Sequence, residues 1–101
     1  MNCEVAFPPE LGLDPADFAD LWNESSACRR MARARTAQAG EATSGEACAI
    51  LEDVEAVTDS SELARLVQHI VRQQGADGPL KVAMAERPDR GWLVTVRAAG
   101  H

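Results

Sequence analysis

Residues 43–57, TSGEACAILEDVEAV, decide the fold. Ala47, Ile50, Leu51, Val54 and Val57 recur at i, i+3, i+4, i+7 spacing, which predicts an amphipathic helix. Thr43 and Glu46 are placed to form its capping box. Read this way, the segment turns Glu46, Glu52, Asp53 and Glu55 away from the apolar stripe, toward solvent.

Working outward, Asp59 and Glu62 open the next helix. Its Leu63, Leu66, Val67, Ile70 and Val71 form the cleanest apolar stripe in the chain, and Gly75 stops it. Upstream, Asp14-Pro15 is a helix start, an N-cap followed by a proline that loses nothing at the first helical position. Phe18, Leu21, Trp22, Cys28, Met31 and Ala32 continue that helix to about Arg35, and residues 37–45 read as a loop. Downstream, Leu80, Val82 and Met84 alternate with Lys81, Ala83 and Ala85. Trp92, Val94, Val96 and Ala98 alternate in the same way beyond the turn-forming residues 87–91, so the pair is a hairpin. Cys3, Val5 and Phe7 outline a short N-terminal strand ended by Pro8-Pro9. The expected fold is therefore α+β: a three-helix body with a C-terminal β-hairpin, joined by a short N-terminal strand, in one domain spanning residues 1–101.

With 46% apolar and 26% charged residues, the composition is that of a globular chain. No stretch reaches the ~20 apolar residues of a membrane span, and the N-terminus lacks a signal-peptide pattern, so a cytoplasmic location is expected. Three cysteines, Cys3, Cys28 and Cys48, fit a reducing compartment. The alanine and arginine bias, with Lys81 as the sole lysine, reads as a high-GC bacterial or phage coding sequence.

Charge is distributed in blocks. Residues 1–24 carry six acids and no base, and residues 25–40 carry Arg29, Arg30, Arg33 and Arg35 without an acid. Residues 41–62 carry seven acids and no base, whereas residues 63–101 hold six bases against three acids. The arginine block is expected to pair with the 41–62 acids or to contact a phosphate or carboxylate.

The order helix, helix, turn, helix, β-hairpin over residues 14–98 resembles winged-helix domains. That resemblance implies a recognition helix presenting Arg65, Gln68, His69, Arg72 and Gln73, with Arg87 and Arg90 on the wing, all facing DNA. The net charge of −6 opposes it.

No cofactor, metal or catalytic site is expected. The three cysteines lack C-x-x-C spacing, His69 has no orienting partner in sequence, and His101 is terminal. Glycine loops for phosphate and G-x-S-x-G or H-E-x-x-H signatures are missing from the sequence. Enzyme activity is not expected. The leading expectation is a small acidic protein–protein interaction module, an inhibitor or regulator, docking on a basic partner surface such as that of a nucleic-acid-binding protein. By size and charge it resembles antitoxins, immunity proteins and phage anti-defence proteins. The residues expected to dock are Glu46, Glu52, Asp53, Glu55, Asp59 and Glu62. The alternatives are a winged-helix DNA-binding regulator and a structural or adaptor subunit.

Overall fold

The computed structural model describes residues 1–54, 59–88 and 91–99. Strands dominate it. A five-stranded mixed sheet is built from β1 (Cys3–Phe7), β2 (Arg33–Thr36), β3 (Ala47–Glu52), β4 (Leu80–Glu86) and β5 (Trp92–Ala98), in the order β2-β3-β1-β5-β4. Three α-helices accompany it: α1 (Pro15–Glu24), α2 (Ser26–Met31) and α3 (Ser60–Gln73). The three-helix body and the winged-helix order are thus both overturned.

The segment that misled is β3. It pairs antiparallel with β1, setting Cys3 against Leu51 and Val5 against Ala49, and antiparallel with β2 on its other side. Ala49 and Leu51 face the helices, while Cys48 and Ile50 face the opposite side, yet all of them are buried. A strand covered on both faces reads as an unbroken apolar run, and Ala47, Ile50, Leu51 and Val54 fit helical spacing by coincidence. The Thr43–Glu46 capping box does not form, because Thr43 lies in the preceding loop and bonds elsewhere.

The first helix also ends sooner than its apolar spacing implies. Ser25 adopts an extended conformation, closes α1 through its N–H, and caps α2 by accepting from Cys28 N. Trp22, fully buried, donates from Nε1 to Ala32 O at 3.0 Å, and the chain then continues as β2. Arg33 and Arg35 therefore sit on a strand with buried Ala34 between them.

Other expectations hold. Asp14 caps α1 and Asp59 caps α3, each accepting from a backbone N–H two residues on. Gly75, at φ 103°, leaves α3 in a conformation that suits glycine. The hairpin pairs Leu80 with Ala98 through Glu86 with Trp92. The N-terminal strand exists too, but as the centre of the sheet: β1 runs parallel to β5 as well as antiparallel to β3.

One core fills the space between sheet and helices. Cys3, Val5 and Phe7 of β1, with Val94 and Val96 of β5, meet Phe18 and Trp22 of α1 and Leu63, Val67, Ile70 and Val71 of α3. Phe18 lies between Phe7 and Trp22 in tilted contacts, at ring separations of 5.1 and 5.8 Å. The other face of the sheet is partly roofed by the loop 37–46 that joins β2 to β3.

Candidate functional site

The most distinctive surface lies on α1. Asp17, Asp20, Leu21 and Glu24 follow i, i+3, i+4, i+7 spacing and so share one side of the helix. With Gly12, Leu13, Asp14 and Gln74 they line a groove of about 350 Å³. Asp14, Asp17, Asp20 and Glu24 are all exposed, and among the described residues none of them forms an ion pair. Gln74, at the end of α3, donates from Nε2 to Asp14 O at 3.2 Å, which ties the two helices together. Its Oε1 is buried and accepts no hydrogen bond among the described residues. The polar side chains of the groove thus present acceptors, set beside the apolar flanks of Leu13 and Leu21.

Helix electrostatics explain only part of this. Asp17 lies in the first turn, where the macrodipole favours an acid. Glu24 lies in the last turn, where the same dipole disfavours it, and its like-charged neighbour Asp20 adds repulsion of a few tenths of a kcal/mol.

The expected docking set is dispersed. Glu41 and Glu52 both bind Arg35, at 2.6 and 3.2 Å, and this pairing holds the Glu41 carboxyl down to about 2. Glu62 is bonded to Arg65. Glu46 belongs to the roofing loop and Asp59 is occupied as a helix cap. Asp53 follows β3 in a left-handed conformation at φ 61°. Glu55 lies outside the described residues. No single helix face collects these groups, since the segment is a strand.

Glu4 is the one fully buried carboxylate among the described residues. It projects from β1 to the face of the sheet away from the helices, beneath the loop. Thr43 donates to it from both N and Oγ1, at 2.9 and 2.8 Å, Ser44 N donates at 3.2 Å and Cys48 Sγ at 3.1 Å. Arg87 Nη1 stands 3.7 Å away. Burial would raise the Glu4 carboxyl, but the bonds from Thr43, Cys48 and Ser44 outweigh it and hold it at about 2. Burial and the neighbouring carboxylates push the Cys48 thiol up to about 11, the opposite of what a nucleophile needs. The pair therefore anchors the loop.

Cys3 and Cys28 sit in the helix-side core, whereas Cys48 occupies the other face, so the three do not converge. Among the described residues no His, Cys, Asp and Glu cluster has the geometry of a metal site.

The basic residues separate likewise. Arg29, Arg30 and Arg33 rim a cavity of about 440 Å³, but Glu52 and Asp53 line it as well, so its charge is mixed. Arg65, His69, Arg72 and Gln73 are exposed on α3, Gln68 is half-buried, and Gln73 Nε2 lies 3.0 Å from His69 Nε2. Arg87 is drawn inward to Glu4 instead of standing on a wing tip, and Arg90 and His101 fall outside the described residues. No protein family, curated protein or solved structure matches the chain. The α1 groove was missed from sequence although residues 1–24 hold six acids and no base. That charge block was the available signal.

Proposed function

We propose that this protein is a binding module that captures a basic protein surface in the α1 groove. The observation that carries this reading is the groove's lining: the carboxylates of Asp17, Asp20 and Glu24 and the buried Oε1 of Gln74, all acceptors, beside Asp14, which is engaged as the cap of α1. A guanidinium or ammonium group supplies only donors and positive charge, so it is the complementary ligand. Leu13 and Leu21 would take the aliphatic stem of the same arginine or lysine. The net charge of −6 adds long-range attraction that speeds encounter. An inhibitory or regulatory role follows from such a contact when the covered surface is itself functional.

The test is titration of an arginine-rich peptide into the wild-type chain and two charge-reversed variants. Asp17→Arg, Asp20→Arg and Glu24→Arg together should weaken binding at least about tenfold. Reversal of Glu46, Asp53 and Glu86, which alters net charge equally and spares the helix caps, should weaken it far less. Equal losses in both would show that overall charge, not the groove, attracts the peptide, and the proposal would fail. Binding that persists unchanged through high salt would favour an apolar adaptor contact instead.

A further inference from the structure

The two edges of the sheet are treated differently. At β2 the outward groups are occupied: Asn23 donates from Nδ2 to Ala34 O and accepts from Ala34 N, both at 2.9 Å. Trp22 Nε1 takes Ala32 O, and Arg35 Nη1 takes Thr36 O. At β4 nothing comparable exists among the described residues. Bonds from Arg87 N to Gly91 O and from Ala99 N to Pro79 O fix the phase of the hairpin. Odd-numbered positions of β4 consequently face β5, and the N–H and C=O groups of Leu80, Val82, Met84 and Glu86 point outward. Unlike most exposed edges, this one is long and has no proline or bulge within Leu80–Glu86. On the helix side Leu80, Val82 and Met84 are only partly buried, so the core runs out to this edge unfinished.

We propose that two copies of the chain associate through β4, antiparallel about a twofold axis at Ala83, to give one continuous sheet. This register engages all of Leu80–Glu86 and makes each outward-facing residue a hydrogen-bonded partner: Val82 with Met84 of the second copy, and Leu80 with Glu86. The half-buried apolar side chains then meet each other across the junction. Charges do not collide: Lys81 faces Ala85, and the two Lys81 residues are offset by four positions, about 13 Å. Ala83, exposed in the single chain, sits directly opposite itself.

The experiment is light scattering of the full chain over a concentration series. Wild type should reach the mass of a dimer, and added salt should strengthen it by screening the net charge of −6. That response is opposite to the one expected of the α1 groove, so the two proposals fail separately. Ala83→Glu and Ala83→Lys each place like charges face to face and should weaken the dimer about tenfold or more. An equimolar mixture of the two should restore it. Val82→Pro, which removes an outward N–H without disturbing β5, should also be monomeric with a native circular dichroism spectrum. A wild type that stays monomeric at every concentration overturns the proposal. So does a dimer that survives either Ala83 variant, or a mixture that remains monomeric.

Discussion

Glu4 and Thr43, 39 positions apart, are joined twice, by the backbone N–H and the hydroxyl of Thr43 on one carboxylate oxygen. This contact fastens the 37–46 loop over the central strand, on the face of the sheet where Ile50, Cys48 and Ala6 are buried. A second fastening, Arg35 to Glu41, holds the loop from the side.

The Glu4 contact makes stability depend on acid. Its carboxyl is lowered from 4.5 to about 2 on folding, so the stabilisation is complete above pH 4.5 and disappears as the pH falls toward 2. A shift of this size corresponds to about 3 kcal/mol. Glu4→Gln should cost a comparable amount at pH 7, because its amide presents donors to donors. It should also flatten the acid limb of a urea-denaturation series measured against pH. An unchanged acid limb would remove Glu4 as its cause.

Loop opening should be visible at Cys48. With its thiol near 11, little thiolate exists at pH 8, and the loop shields what there is. In pulsed iodoacetamide labelling read by mass spectrometry, Thr43→Val, which loosens the loop and keeps the Glu4 carboxylate beside the thiol, should accelerate Cys48 about tenfold relative to Cys3 and Cys28. Equal acceleration at all three would indicate global unfolding rather than release of the loop.

Asn23 acts as a substitute strand at the β2 edge. Asn23→Ala strands the N–H and C=O of Ala34 and should destabilise the fold by about 1–2 kcal/mol. Hydrogen exchange at the Ala34 amide should rise more than at the inward-facing Arg35 amide. If the two rise together, the side chain is not what protects the edge.

Asp53 is the one non-glycine residue with positive φ among the described residues. Asp53→Gly relieves that geometry and should raise stability by up to about 1 kcal/mol, read as a higher melting temperature. A lower melting temperature would mean that the aspartate side chain matters more than its backbone strain.

Legibility in sequence followed how local the determining contacts are. The hairpin, α3 and the starts of α1 and α3 were readable because caps, turns and period-2 alternation lie within a few residues of what they define. β3 was not, because Cys48 and Ile50 are buried on the face away from the helices, where a loop folds back onto Cys48 from sequence-distant residues of the sheet such as Glu4. β2 was hidden by its shortness and by the indole of Trp22, whose bond to Ala32 ends the helical course. The acids of α1 were plain in composition, but that they share a groove with Gln74 depends on packing between distant helices.

The middle position of β1 has a consequence for how the chain reaches its native state. Its neighbours, β3 and β5, begin at Ala47 and Trp92, so the first of the five strands in chain order is flanked on both sides only once the fifth has docked. Helices can wind early, yet the sheet closes only across the long separation between β1 and β5, a non-local pairing of the kind that slows folding.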